Sequence, residues 1–299
     1  FNAWKEKQKS SVQFALQDPQ TSFVDTFYQT LYQKNPLTPV IIAKPYYFDS
    51  INLSRALEIY NSQLSDANEF TFIFTGSFNV DSIRSLLATY IGGLPHTNNE
   101  ALFSDNGVRP IKGDIDLNVY KGSEDKSLII KYYSGVVAYD ANLALKAQAL
   151  TEILNIKITE DLREKLGAIY GGGIYGGLNK LPYNSYSFVL QLPCGPSNVD
   201  TLLKAANEEI EKIKNDGPEQ IDLDKVKKTW LEQYKVQLKE NSFWTGKLQG
   251  IYFQNDDPQR IFDYEQNVNA ITTDDIKNAA NKLLAGDNVV TAILYPEKK

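Results

Sequence analysis

The 299-residue sequence contains one histidine, His96, one cysteine, Cys194, and no methionine. A single imidazole excludes any metal site or catalytic triad that needs two, including the HExxH and HxxEH zinc motifs. A single cysteine excludes an internal disulfide and a multi-cysteine zinc site, and it leaves the redox compartment unspecified. Methionine is absent even at position 1, which predicts a piece of a longer protein. No run approaches the roughly 20 apolar residues that cross a bilayer, so no membrane span is expected. The start Phe1-Asn2-Ala3-Trp4-Lys5 lacks a charged-then-apolar leader pattern. With 31 basic against 37 acidic residues, a formal charge of −6 and no cluster of lysine and arginine, the chain is not built to neutralise phosphates. No nucleic-acid partner is expected.

What is present is ordinary for a globular chain: 42% hydrophobic and 23% charged residues over a length that suggests roughly two domains. Phe23, Phe27, Leu31 and Tyr32 share one face of a helix over 20–33, and Ile51, Leu53, Leu57, Tyr60 and Leu64 recur at near-helical spacing over 50–65. Phe70-Thr71-Phe72-Ile73-Phe74 alternates like a buried strand, Gly76 ends it, and Asn79-Val80-Asp81 opens a helix reaching Ile91. The aperiodic Asn-, Asp- and Gly-rich stretch 96–113 is the candidate linker. Beyond it, 115–121 and 127–138 read as two strands around a hairpin-like Gly122-Ser123-Glu124-Asp125. A long helical pattern covers 140–165, with Gly167 where a C′ glycine is expected. Strands over 168–178 and 184–192, helices over 198–214, 219–242 and 273–285, and a closing strand over 288–294 follow. The pattern implies an α+β fold of antiparallel sheets, each backed by helices on one face. Strand 70–75 before Asn79-Val80-Asp81-Ser82 is echoed by strand 186–192 before Asn198-Val199-Asp200-Thr201. Duplication explains the echo, and so does convergent helix capping.

Several constellations compete with plainer readings. Cys194 and His96 could be offered as a thiolate and its base, but His96 sits in a loop and Cys194 at a strand exit between Pro193 and Gly195. Gly171, Gly173 and Gly176 satisfy G-x-G-x-x-G, yet a helix precedes them and a strand follows, the reverse of what a phosphate cradle needs. The glycines leave bare backbone for a ligand or another chain to approach, or else mark a bulge or bend. The acidic runs Glu208-Glu209-Ile210-Glu211 and Asp222-Leu223-Asp224 read as solvated helix faces. Trp230, Phe243, Trp244, Tyr252 and Phe253 read as core packing. Arg163, in the last helical turn, and Tyr170, at the head of the glycine-rich strand, could turn toward one space. There a guanidinium and a phenol would suit a peptide carbonyl or a developing oxyanion. The alternative is an arginine that satisfies the helix C-terminus or pairs with Glu160.

Three passages carry a family resemblance. Phe70-Thr71-Phe72-Ile73-Phe74-Thr75-Gly76-Ser77-Phe78, with the following helix ending Tyr90-Ile91-Gly92-Gly93-Leu94-Pro95, resembles the "ftfvivGn…YlgsLP" passage of the insulinase/pitrilysin-like zinc metallopeptidases, the inverzincins. Leu162-Arg163-Glu164-Lys165-Leu166-Gly167-Ala168-Ile169-Tyr170-Gly171-Gly172 is similar to their "lRekxgxxYg" segment. Val290-Thr291-Ala292-Ile293-Leu294-Tyr295-Pro296-Glu297 resembles the last strand of the long, single-chain bacterial members. The resemblance implies duplicated metallopeptidase-type α+β domains in two halves that close around a peptide. Residues 1–105 would be the last part of a third domain and 106–299 a complete fourth. It further implies a zinc cofactor held by HxxEH on the missing N-terminal half and none here, so this part alone would be inactive, with no catalytic residue of its own. A peptide substrate would meet Arg163, Tyr170, Gly171 and Gly172, and the compartment would be the periplasm. The alternative implied by the same family is a catalytically silent peptide-binding or structural subunit.

Overall fold

The computed structural model describes residues 1–97, 103–165, 167, 169 and 171–298, the side chains of 163–165 excepted. In chain order the elements are helices α1 (Asn2–Ala15), α2 (Pro19–Leu31), α3 (Pro45–Asp49), α4 (Leu53–Leu64) and α5 (Val80–Tyr90), strands β1 (Gly113–Tyr120) and β2 (Ser127–Val136), helix α6 (Ala141–Lys157), strands β3 (Gly173–Asn179) and β4 (Ser185–Cys194), helices α7 (Val199–Asp216), α8 (Gln220–Gln237), α9 (Asn241–Gln254), α10 (Tyr264–Asn269) and α11 (Thr273–Leu283), and strand β5 (Asn288–Tyr295). Polar side chains cap several helix starts where the sequence places Asp, Asn or Thr. Asn79 accepts from the Ser82 amide, Asp140 from Leu143, and Thr272 forms a reciprocal capping box with Asp275. Asn198 makes no such bond, so the echo of Asn79 does not extend to capping.

The chain forms two compact units. One comprises 1–12, 44–104 and 232–264; the other comprises 13–43, 105–231 and 265–299. The units are discontinuous in sequence and do not follow a cut after residue 105; that cut concerns descent, on which compactness is silent.

The second unit carries the five-stranded sheet, in the order β1-β5-β2-β4-β3. The fold is α+β, a sheet backed by helices, as the sequence predicts, with three departures in detail. First, β1 and β2 are not a hairpin: β5 enters between them, pairing antiparallel with β2 and parallel with β1, so the sheet is mixed. Two chain-adjacent strands with turn residues between them carry no signal that a distant third strand will intervene. Second, both faces of the sheet are covered. Phe23, Phe27 and Leu31 of α2 pack on Leu128, Ile130, Val290, Ala292 and Leu294, while α6, α7 and α11 pack together over the other side. Third, residues 70–75 form no strand: Phe70, Phe72 and Phe74 are 39%, 42% and 45% exposed. The alternation is real, but a strand needs a hydrogen-bonding partner, and all five described strands lie in the other unit.

In the first unit the Thr75 and Thr245 hydroxyls meet at 2.5 Å across two of its segments, and within 232–264 Tyr234 donates to the Ile261 carbonyl and Trp244 to the Leu238 carbonyl. Of the aromatics assigned to core packing, Trp230 is buried and Phe243 and Trp244 half-buried, whereas Tyr252 and Phe253 lie exposed.

Candidate functional site between α6 and β3

The connection from α6 to β3 begins with a change of winding. Helix α6 continues as a wider π-helical turn over Ile158–Lys165, a form that costs hydrogen-bond geometry and clusters at functional sites. The predicted helix over 140–165 is therefore two structures end to end. Asn155, just before the change, spans the base of the connection: its side-chain amide donates to the Ile174 carbonyl and accepts from the Ile174 amide, at 3.0 and 2.8 Å. One side chain thus pairs with β3 as a neighbouring strand would, and it fixes where the connection leaves and rejoins the fold.

Charges hold the turn from below. Lys157 contacts Asp222 at 2.7 Å and lies 3.5 Å from Glu160; Lys225 lies 3.2 Å from Asp222 and 3.6 Å from Glu160. Asp222 is 1% exposed. Its burial pushes the carboxyl up, but the hydrogen bonds and charges of Lys157 and Lys225 hold it below the usual carboxylate range. Burial would likewise lower the Lys157 ammonium, and Asp222, Glu219 and Glu160 hold it above its ordinary value. Glu209 on α7 behaves oppositely. Burial, then the charge of Asp161 on the π turn and a hydrogen bond shared with it, pushes it up, and one carboxyl oxygen is buried with no hydrogen-bond partner among the described residues. The acidic runs are thus not uniformly solvated faces. Sequence periodicity held the missing signal: Asp222 falls at i and i+8 with Trp230, with Val226 between, and Glu209 shares the face of Leu202, Ala206 and Ile213, all buried.

Of the residues singled out from sequence, Arg163 lies within the π turn by its backbone while its side chain is outside the described residues, and Tyr170 is outside them altogether. Among the described residues nothing lies within 4 Å of where a Cβ on Gly171 would sit. Gly172 is different: at φ +108° a Cβ would lie 2.2 Å from the Gln191 carbonyl oxygen. Gly176, at φ +144°, would place one 2.1 Å from the Ser187 oxygen. Close approach by β4 accounts for the glycine at 172 and 176; at 171 no atom of the described residues comes close. Cys194 is buried and its thiol is pushed up to about 11 by burial, so it offers no thiolate to a base near neutral pH. Among the described residues no three His, Cys, Asp or Glu side chains group to hold a metal, so the residues present do not fit a zinc site. No helix of the described residues is long and apolar enough to cross a membrane.

A family model described as the peptidase M16 inactive domain matches residues 50–229. The probable zinc protease PqqL of Escherichia coli is 21% identical over 99% of this chain and 32% of its own length. The crystal structure of the periplasmic protease PqqL from Escherichia coli superposes with a TM-score of 0.85 at 18% identity, again over 99% of this chain and 32% of that one. A peptidase M16 inactive domain from Pseudomonas fluorescens superposes with a TM-score of 0.79 at 17% identity, over 100% of this chain and 70% of that one. The chain spans about a third of the length of the curated relative it matches.

Proposed function

The chain belongs to the peptidase M16 inactive-domain family, and from that premise we propose that it is the non-metal half of a zinc metallopeptidase that hydrolyses peptides in a closed chamber. In this reading residues 1–105 are the end of a third domain and 106–299 a fourth, and the zinc sits on the N-terminal half of a longer protein. The periplasm, where the Escherichia coli relative is placed by its name, is the compartment we propose. This chain supplies chamber wall and contacts to the peptide: Arg163 and Tyr170 as donors to a carbonyl or oxyanion, Gly171 and Gly172 as bare backbone beside it.

The observation that carries the reading is the joint match, to an inactive-domain family over residues 50–229 and to a zinc protease over about a third of that protein's length. The π turn supports the placement of Arg163, because π-helical turns are rare and frequent at functional sites, and this one is braced by Lys157, Asp222 and Lys225. In the full-length protein, Arg163→Ala and Tyr170→Phe are expected to lower kcat/KM by about 100-fold each, the order of one lost oxyanion donor, with zinc content by elemental analysis unchanged. Unchanged turnover in both variants, or loss of zinc with loss of turnover, overturns the assignment. An upstream sequence without HxxEH would favour the silent-subunit alternative.

A further inference from the structure

A second feature of the sheet-bearing unit lies apart from the α6–β3 connection. Between the β1-β5-β2 side of the sheet, helix α7 and the end of α11 lies a cavity of about 180 Å³. Its floor is buried: Tyr133, Val289, Ile210 and Leu284. Lys131 stands on the wall, half-buried, and donates to the Asn207 side-chain oxygen at 2.6 Å. At the rim, Asp114 and Glu211 are exposed, and Glu211 is engaged by Lys214 at 2.6 Å.

Lys131 keeps donor capacity toward the cavity. Its ammonium has three N–H groups, and among the described residues its hydrogen-bond acceptor is one neutral amide oxygen, with no carboxylate within ion-pair distance. Tyr133, 4% exposed, lines the cavity, and the Lys131 ammonium lies 5.4 Å from its ring centroid. At the rim Glu211 is paired with Lys214, which also lines the cavity, so the exposed Asp114 carboxylate and the carbonyl end of α11 at Leu284 set the sign there. A bare anion would meet repulsion at the mouth, and a bare cation would meet Lys131 inside.

We propose that this cavity binds a small zwitterion of the amino-acid or short-peptide class, its carboxylate on Lys131 and Tyr133 and its ammonium toward Asp114. Burial, which lowers the Lys131 ammonium from its ordinary value and raises the Tyr133 phenol, is consistent with both groups lying where solvent is scarce. The site uses none of the residues assigned to the peptide chamber, so it stands or falls separately.

The test is calorimetric titration of the whole protein with glycylglycine, and with acetate and ethylammonium as the two half-ligands. Glycylglycine is expected to bind with 1:1 stoichiometry and at least about tenfold more tightly than either half-ligand; Lys131→Met and Tyr133→Phe, which keep the buried stem and ring, are each expected to weaken it about tenfold. Arg163→Ala is expected to leave it unchanged, and thermal melts verify that each variant is folded. No heat with glycylglycine at about 50 mM, well above a millimolar dissociation constant, overturns the proposal. So does acetate binding as tightly as glycylglycine, binding that both cavity variants leave unaltered, or binding lost in Arg163→Ala.

Discussion

Gly171 and Gly176 lie five positions apart in one glycine-rich run, and the fold asks different things of them. Gly176 is at φ +144° with the Ser187 carbonyl 2.1 Å from where a Cβ would be and the Phe188 Cα at 2.7 Å, so both backbone strain and a backbone clash oppose any side chain. Gly171 has no neighbour of this kind among the described residues. Gly176→Ala is therefore expected to destabilise the protein by about 3 kcal/mol or more, and Gly171→Ala to stay within about 0.5 kcal/mol; urea unfolding of the two variants checks this. Equal stability losses would mean that the glycine-rich run is a uniform structural requirement. The contrast also makes Gly171→Ala the cleaner probe of the proposed peptide contact, because a change in activity there would not be a change in folding. The sequence counted these glycines without ranking them, since the partner that separates them is the backbone of β4, which no local pattern describes.

The element that joins α6 to β3 is held by ionisable groups of opposite tendency, and its stability should depend on pH accordingly. Asp222 is held below its ordinary 3.8, so its contribution is present above that pH and is lost as pH falls through the lower folded value. Glu209 is held above its ordinary 4.5, so the folded state is favoured while it is protonated, and stability is lost as pH rises through the raised folded value. The Asp161 carboxyl beside it sharpens that loss, because two ionised carboxylates then face each other. Glu209→Gln is expected to be more stable than the natural protein at pH 8 and no more stable near pH 4, whereas Asp222→Asn is expected to be less stable at both pH 6 and pH 8. Chemical denaturation across this range decides it, and a Glu209→Gln variant weaker than the natural protein at pH 8 would refute the account. At this scale the sequence was informative about helices: α2, α5, α6, α7 and α11 follow the predicted periodicity, with caps on Asn79, Asp140 and Thr272. It was blind to the parallel pairing of β1 with β5, which depends on a chain separation no window contains. It also read charge ahead of periodicity at Asp222 and Glu209, where the helix face decides.

Across the whole molecule the two compact units differ in how they dispose of apolar surface. The sheet-bearing unit buries its strands on both faces, with Ile129, Leu190, Leu192 and Ala292 essentially inaccessible. The other unit leaves Leu53, Leu57, Tyr60 and Leu64 of α4 exposed along with Phe70, Phe72 and Phe74. That set includes the near-helical pattern of 50–65 and the alternation that reads as a buried strand over 70–74. Amphipathic spacing fixes which residues share a face, and something outside the pattern must cover that face. Single exposed apolar residues need no explanation, but contiguous ones mark interaction surface or a tendency to associate. Since the chain spans about a third of a curated relative's length, the cover we propose is the remainder of a longer protein. The chain alone is expected to bind the dye ANS under native conditions, to associate as its concentration rises, and neither to take up stoichiometric zinc nor to cleave peptides. Supplying the N-terminal half as a separate polypeptide is expected to lower the dye signal and to bring zinc and peptide cleavage with it. A chain that ignores the dye, or dye binding that the added half leaves untouched, would show that these aromatic and aliphatic residues are not an interface awaiting its other half.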